Sequence, residues 1–185
     1  MKSDSYSLRV LFFLTLVLFS VAVFASPKAE VLEYGYYEFT EGSERLANGI
    51  TTSGYVTKGA AKLVKQTEKI PLKRGRLFGF RFKIFGMSET VGVIPLELVV
   101  THPEMKKPDG SLSTGYRYKM ELSLSNGAVE DKTGYRVNEA FEMVEGDWTF
   151  EYRFMDRTLI KHTFTTYLSK GVVQSDTSST SNKEK

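Results

Sequence analysis

The chain contains no cysteine and only two histidines among its 185 residues. The absence of cysteine excludes disulfide bonds, thiol catalysis, cysteine-based metal sites and lipid attachment through an N-terminal cysteine. Two histidines supply few ligands for a transition metal, which needs several donor groups that converge on one point. We therefore expect a fold that is held together by packing alone, with no metal-binding residues.

The motifs of several enzyme classes are also missing. No G-x-S-x-G nucleophile elbow occurs, and there is no glycine-rich phosphate loop or acidic calcium loop. Serine catalysis on other folds has no such local motif. Carboxylate pairs for glycoside hydrolysis, such as Glu139 with Glu142 or Glu33 with Glu38, are defined by their separation in space, and the simpler interpretation of these glutamates is the exposed face of a strand. We expect no catalytic residues, no cofactor and no enzymatic activity.

The first 25 residues have the pattern of a cleavable secretory signal peptide. A short basic and polar stretch precedes an apolar run over residues 10–24, and the small residue Ala25 follows. The run is shorter than the roughly 20 residues that a membrane-spanning helix needs. We predict cleavage near Ala25, a periplasmic or secreted protein, and no transmembrane segment in its mature form. A retained membrane anchor is the alternative.

The remaining chain is of a size suited to one domain. We assign residues 26–168 to that domain and residues 169–185, which are rich in serine and threonine, to a disordered tail. The full chain carries a net charge of +3, and loss of the signal peptide changes it little. Net charge alone therefore implies no polyanionic partner.

Apolar and polar residues alternate through much of residues 30–167, as in strands with one face in a core and one in water. The clearest examples lie at 78–84, 116–124 and 148–154. Further strands are predicted at 31–39, 60–67, 91–101, 158–167 and, more weakly, 136–144, with turns at 41–49, 71–75, 103–110, 125–134 and 155–157.

About seven or eight short strands predict an all-β fold, an immunoglobulin-like antiparallel β-sandwich. The end of the domain favours this fold, because Gly146-Asp147-Trp148 opens a strand that a tight turn at Asp156-Arg157 joins to the last strand. Many immunoglobulin-like sandwiches finish in this way. A barrel is the alternative, since alternation constrains one face of a sheet and not how the sheet closes.

Three stretches of the chain resemble a known bacterial family. They are VLEYG at 31–35, LVKQTEKIP at 63–71 followed by FGFRF at 78–82, and GDWTF at 146–150. The family carries VLEYG, VEQT-x-x-IP followed by FGFRF, and PG-x-W-x-F; Glu145 stands where it has proline. The chain is similar to this family of small exported domains of unknown function over about residues 30–167. The resemblance implies a β-sandwich in the cell envelope, and it assigns no functional residue.

Charge is distributed unevenly along the chain. Residues 58–83 include nine basic residues and one acidic residue, whereas residues 121–151 include eight acidic and two basic ones. Strands of opposite charge that pair across a sheet would explain this, since lysines also discourage edge-to-edge association. The alternative is a basic surface for an anionic glycolipid, a polysaccharide or an envelope protein, but not for nucleic acid. Its candidate residues are Lys62, Lys65, Lys73, Arg74 and Arg76.

Both histidines have a simple structural interpretation. His102 precedes Pro103 at the end of a predicted strand, and we expect a solvated loop histidine; a ligand pair with Glu104 or a general base is the alternative. His162 shares strand parity with apolar neighbours, and we expect it to be partly buried and bonded to a backbone or hydroxyl group.

Tyr34, Tyr36, Tyr37 and Tyr55 are candidates for a contact surface, because tyrosines offer large contact area at low entropic cost. The alternative places them at the wet margin of the core.

Together these features predict a non-enzymatic, exported binding or interaction module of the bacterial periplasm or cell envelope. Recognition would use strand faces and end loops. One alternative is an envelope assembly or chaperone subunit that acts by β-augmentation, for which residues 30–39 are the candidate free segment. A second alternative is a hydrolase that acts on envelope polymers.

Overall fold

The computed structural model describes residues 26–39 and 42–169. The predicted signal peptide and nearly all of the predicted tail lie outside the described residues. Within the described residues, no helix is long and apolar enough to cross a membrane. One short 3₁₀ helix spans Ala140–Glu142. The strands are β1 (Lys28–Phe39), β2 (Glu44–Ala47), β3 (Tyr55–Lys58), β4 (Ala61–Lys65), β5 (Lys69–Pro71), β6 (Leu77–Phe85), β7 (Val93–Lys106), β8 (Leu112–Ser123), β9 (Val129–Arg136), β10 (Gly146–Phe154) and β11 (Arg157–Tyr167).

Two sheets form a sandwich. The first has the order β4-β1-β6-β9, and the second has the order β5-β11-β10-β7-β8. Neighbouring strands are antiparallel except for β11 and β5, which are parallel. Strands β2 and β3 form a separate antiparallel hairpin. The predicted all-β sandwich is confirmed, and the two separate sheets replace the barrel alternative.

Aromatic side chains from inner strands build the core. Strand β6 lies between β1 and β9, and β10 lies between β11 and β7, so that both strands are shielded on either side. Phe78 of β6 meets the rings of Trp148 (5.3 Å between centroids) and Phe164 (5.5 Å) edge to face. All three side chains are fully buried. Such contacts stabilise a core beyond the burial of apolar area alone.

A row of glycines crosses the first sheet. Gly79 of β6 is paired with Gly35 on β1 and with Gly134 on β9. A Cβ atom at residue 79 would lie 2.0 Å from the carbonyl oxygen of Thr133, closer than real Cβ atoms come. The strands therefore approach in a way that only glycine permits, and Gly79 and Gly134 leave open space beneath the hairpin.

Several predicted turns and one predicted strand were wrong; the turn expected at 103–110, for example, begins inside β7. Strand β9 occupies Val129–Arg136, most of which was expected to be a turn, and residues 137–145 hold the 3₁₀ helix in place of the predicted strand at 136–144. The residues of β9 on the core side include Asp131 and Thr133, which hide the apolar alternation. The hairpin was missed because β2 lies within the predicted turn at 41–49. The sandwich sheets hold nine described strands, one or two more than expected.

Candidate functional site

The β2–β3 hairpin connects β1 to β4 and, within the described residues, pairs with neither sheet. Polar contacts hold its base against the sandwich. Arg45 forms an ion pair with Glu139 (3.1 Å), and its guanidinium lies 3.8 Å from the centre of the Tyr55 ring. Lys132 of β9 donates a hydrogen bond from Nζ to the carbonyl oxygen of Gly59 (3.1 Å). The hairpin is thereby tied to β9, the edge strand of the first sheet.

The tip of the hairpin reaches the second sheet through a chain of hydrogen bonds. Nδ1 of His102 lies 2.7 Å from the carbonyl oxygen of Pro103, which can only accept, so Nδ1 carries the proton and Nε2 is an acceptor. The Thr52 hydroxyl therefore donates to Nε2 of His102 (2.8 Å), and the Ser113 hydroxyl lies 3.1 Å from the Thr52 hydroxyl and 3.3 Å from the carbonyl oxygen of Gly115. Thr52 and His102 are both buried, so this contact fastens the tip of the hairpin.

The prediction of a solvated loop histidine at residue 102 was therefore wrong. Strand β7 continues through Pro103 to Lys106, which carries His102 into the structure. The imidazole packs on Trp148 with 4.9 Å between ring centroids. Burial lowers the pKa of His102, and the neutral form that accepts from Thr52 is favoured.

A cleft of about 240 Å³ lies under the hairpin at the edge of the sandwich. Its walls come from the edge strands β8 and β9, the adjacent strands β6 and β7, the end of β1 and hairpin residues within 51–57. Hydroxyl groups of Thr51, Ser53, Thr57 and Thr133 interrupt a largely apolar surface, and no described lining residue is acidic. The rings and aliphatic groups include Tyr37, Phe39, Leu77, Phe80, Leu98, Tyr116 and Tyr118, and the cations are Arg81, Lys132 and Arg136.

Arg136, at the end of β9, differs from the other two cations of the cleft. Arg81 lies 3.6 Å from Glu130, and Lys132 is bonded to the hairpin backbone. The guanidinium of Arg136 lies 4.7 Å from the centre of the Phe39 ring. Its Nε is buried and has no hydrogen-bond acceptor among the described residues. Most buried donors in folded proteins are satisfied, so this atom marks a place where an external acceptor would be stabilised.

The buried carboxylate of Glu142 organises the end of the cleft. Tyr135 donates its hydroxyl to Oε1 of Glu142 (2.8 Å), and Oε2 accepts the backbone N–H groups of Asn138 (2.5 Å) and Glu139 (2.8 Å). Burial, followed by the charge of Glu142, raises the pKa of Tyr135. Glu139 instead pairs with Arg45. The two glutamates considered as a carboxylate pair thus have separate structural contacts.

The four tyrosines do not share one surface. Tyr34 and Tyr36 pair with core residues of β6 and are half-buried, whereas Tyr37 and Tyr55 line the cleft. The Tyr37 hydroxyl is buried and meets no hydrogen-bond geometry with a described group. The carboxylate of Glu33 is nevertheless close, and burial followed by this charge raises the pKa of Tyr37.

The basic residues singled out from the sequence fall into two groups. Lys62 and Lys65 are exposed on β4, whereas Lys73, Arg74 and Arg76 lie in the turn before β6. Strand β1 separates β4 from β6. Two of the turn residues have internal contacts: Arg74 is 3.7 Å from Glu139, and the Arg76 guanidinium lies 4.2 Å from the centre of the Tyr36 ring.

The strands of opposite charge lie next to each other. On β6, Arg81 is paired with Glu33 of β1 and forms an ion pair with Glu130 of β9. Lys83 of β6 is likewise paired with acidic residues on both neighbouring strands, Glu30 on β1 and Glu130 on β9. Cross-strand pairing thus accounts for part of the uneven charge along the sequence.

His162 is partly buried, as expected, and packs between the rings of Tyr34, Phe80 and Phe164. Nε2 of His162 forms no hydrogen bond with a described residue, and it lies 3.7 Å from Oε1 of Glu68. Burial lowers the pKa of His162, and Glu68 partly opposes this shift. No group of three or more possible metal ligands occurs in residues 26–39 and 42–169.

The candidate segment for β-augmentation is not free. Residues 30–39 lie within β1, which pairs with β4 on one side and with β6 on the other. A client strand would have to use another edge of the sandwich.

Comparisons with known proteins agree with the fold. A family model described as a domain of unknown function (DUF3859) matches residues 25–166. No curated protein matches the chain. An immunoglobulin-like protein from Pseudomonas aeruginosa, known from a crystal structure, is 25% identical, with a TM-score of 0.52, over 78% of this chain and 99% of that chain.

Two other structures are less similar. An alkylpurine DNA glycosylase from Pseudomonas fluorescens is 11% identical (TM-score 0.36) over 54% of this chain and 27% of that chain. A β-glucosidase from Listeria innocua is 8% identical (TM-score 0.41) over 79% of this chain and 17% of that chain. Neither likeness supports an inference about this protein. The Pseudomonas aeruginosa structure supports the assignment of the fold as an immunoglobulin-like β-sandwich. The match of the family model shows that the chain belongs to this family of domains of unknown function.

Proposed function

We propose that this domain is a non-enzymatic binding module of the bacterial periplasm or cell envelope, and that its ligand occupies the hairpin cleft. The observation that carries the proposal is that Arg136, whose buried Nε has no acceptor among the described residues, lines a largely apolar cleft. Binding pockets commonly combine apolar walls with a few polar groups that orient the ligand. The cleft has both.

The hairpin suits a ligand that must enter and leave. Its tip is fastened by Thr52, and its base by Arg45 and Lys132. Exposed side chains such as Ile50 and Tyr55 contribute little burial to it. A segment with few buried contacts opens at a lower free energy than the core strands do. The cleft can therefore admit a ligand while the sheets stay folded.

The cleft is a better candidate than the basic surface proposed from the sequence. Lys62 and Lys65 are separated from the turn at Lys73 by strand β1, and Arg74 is already close to Glu139. Exposed cations of this kind bind anions weakly and with little selectivity. The cleft combines an enclosing apolar surface with cations, so it can select a ligand by shape as well as by charge.

A fragment screen by protein NMR tests the proposed site. The library contains neutral, cationic and anionic fragments, and backbone amide shifts report where each one binds. We expect hits of any charge class to perturb residues 51–57, 77–81 and 132–138. Hits that cluster at residues 73–76 would favour the basic surface, and hits along β8 would favour recognition at a strand edge. Either pattern, or a screen without hits, would contradict the proposal.

Export is tested separately in bacterial cells. The full chain with a C-terminal tag is expected in the periplasmic or extracellular fraction, with a mature chain that begins at Ser26. A variant with Ala25→Arg should keep its leader and stay with the membrane fraction, because signal peptidase requires a small residue there. Recovery of the uncleaved wild-type chain in the cytoplasm would contradict the assignment.

A further inference from the structure

We infer that the ligand of the hairpin cleft is a small carboxylate with a compact apolar body, held by a side-on pair with Arg136. The inference rests on the proposed function, since it assigns a ligand class to the same cleft. It draws on four features of the structure: the state of Arg136, the charge of the lining, the volume of the cleft and its hydroxyl groups.

Among the three lining cations, Arg136 is the one with a buried donor that has no acceptor among the described residues. Arg81 has Glu130 within 3.6 Å, and one N–H of Lys132 is bonded to the carbonyl oxygen of Gly59. The guanidinium of Arg136 lies 4.7 Å from the centre of the Phe39 ring. Its Nε is buried without an acceptor among the described residues.

A carboxylate fits this donor better than other anions do. Nε and a terminal nitrogen of a guanidinium form two parallel hydrogen bonds with the two oxygens of one carboxylate. A phosphate group carries more charge and needs further unpaired donors, whereas Arg81 and Lys132 already have partners. No described lining residue is acidic, and the nearby carboxylate of Glu142 already accepts three hydrogen bonds.

The volume limits the body of the ligand. The cleft measures about 240 Å³, and an apolar cavity of about 150 Å³ holds one benzene molecule. One ring or a short aliphatic chain therefore fits, whereas a long acyl chain or an oligosaccharide does not. Phe80, Leu98 and Tyr116 contribute apolar walls for such a body, and the Thr51 hydroxyl, which donates to the carbonyl oxygen of Tyr55, can accept from a polar substituent.

The test compares matched ligands on the full mature chain by calorimetry and NMR. The probes are 3-phenylpropionate, its neutral amide 3-phenylpropionamide, phenyl phosphate and acetate. We expect 3-phenylpropionate to bind with a dissociation constant below about 1 mM and the other three to bind at least about tenfold more weakly. The amide keeps the body and loses the charge, whereas acetate keeps the charge and loses the body.

Substitutions locate the contact. Arg136→Lys keeps a positive charge but lacks the planar fork, and it should weaken 3-phenylpropionate binding at least about tenfold while the weaker binding of the amide stays unchanged. Arg117→Lys is the matched control, because Arg117 is exposed on β8 and does not line the cleft. Thermal unfolding checks that each variant is folded. If Arg136→Lys does not fold, the inference is tested by comparing 3-phenylpropionate with 3-phenylpropionamide on the wild-type chain.

The possible results separate the two proposals. Equal binding of carboxylate and amide in the cleft would overturn the inference and leave the proposed function standing, as would tighter binding of phenyl phosphate. No binding of any probe or fragment in the cleft would overturn both. Glu41 lies outside the described residues and two positions after Phe39. Stronger carboxylate binding by Glu41→Gln would show that the chain's own carboxylate occupies Arg136, and it would overturn the inference.

Discussion

Aromatic rings line both the core of the sandwich and the hairpin cleft, but their surroundings differ. In the core, Phe78, Trp148 and Phe164 are fully buried and meet edge to face. In the cleft, Tyr37 and Tyr116 are interspersed with hydroxyl groups and cations, and one wall is a hairpin held by a few polar contacts. The core therefore supplies most of the stability of the domain, whereas the hairpin, with few buried contacts, is expected to open at a lower free energy.

The largest loss of stability is expected from a substitution that creates a cavity in the core. Phe78→Ala should lower the free energy of unfolding by about 3–5 kcal/mol, because it removes a ring that contacts Trp148, Phe150 and Phe164. Chemical denaturation with urea measures the change. Leu112→Ala is the control, since Leu112 is 59% exposed, and its effect should stay within about 0.5 kcal/mol. Similar losses in both variants would mean that the core is not where stability is concentrated.

A methyl group at the glycine row should have the next largest effect. Gly79→Ala places a Cβ atom 2.0 Å from the Thr133 carbonyl oxygen and 2.5 Å from the Gly134 Cα atom. We expect a loss of about 3 kcal/mol, the upper end of the range for overpacked sites. Gly92→Ala is the matched control, because a Cβ atom there meets nothing within 4 Å. If the two variants unfold at the same denaturant concentration, the close strand approach is not required.

Thr52→Val should affect the hairpin more than the sheets. The substitution removes the hydroxyl that donates to His102, and leaving a buried acceptor unsatisfied costs about 1–2 kcal/mol. We expect faster amide hydrogen exchange in residues 44–58 and little change in β6 and β10. Thr114→Val serves as the control, since Thr114 is exposed on β8. Faster exchange throughout the core would show that the hairpin and the sandwich open together.

Sequence alternation predicted the core because, in its strands, apolar side chains that face inward alternate with residues that face outward. Phe78, Phe80 and Phe82 alternate with Gly79, Arg81 and Lys83, and the structure buries the first set. The same alternation placed Trp148 and Phe150 in the core. Strand β9 escaped it, because at the edge of a sheet polar residues such as Asp131 and Thr133 can lie on the inner side beside a cleft.

The cleft could not be predicted in the same way, because it depends on contacts between distant parts of the chain. Thr52 meets His102 and Ser113, which are 50 and 61 residues away. Hairpin strands β2 and β3 are short, and the surrounding Asn48-Gly49 and Ser53-Gly54 pairs are typical of turns. Arg136 carries no local motif at all. Only the fold shows that Arg136 lines a cleft and that its buried Nε has no acceptor among the described residues.

The smallest expected effect is a pH dependence that distinguishes the fastened tip of the hairpin from the core. Burial lowers the pKa values of His102 and His162. The unfolded chain takes up protons on histidine as the pH falls through about 6.5, and the folded chain takes them up only at lower pH. The stabilisation by neutral histidine is therefore complete above that range and is lost as the pH falls toward 5.

Each histidine can contribute a slope of at most about 1.4 kcal/mol per pH unit. His102 contacts Thr52, the carbonyl oxygen of Pro103 and Trp148, none of which is charged, whereas His162 has Glu68 at 3.7 Å to stabilise its cation. His102→Gln should therefore flatten the pH dependence of the unfolding free energy between pH 7 and about pH 5 more than His162→Gln does. Urea denaturation at several pH values measures this slope. A larger change for His162→Gln would mean that Glu68 does not offset the burial of His162, and it would contradict this ranking.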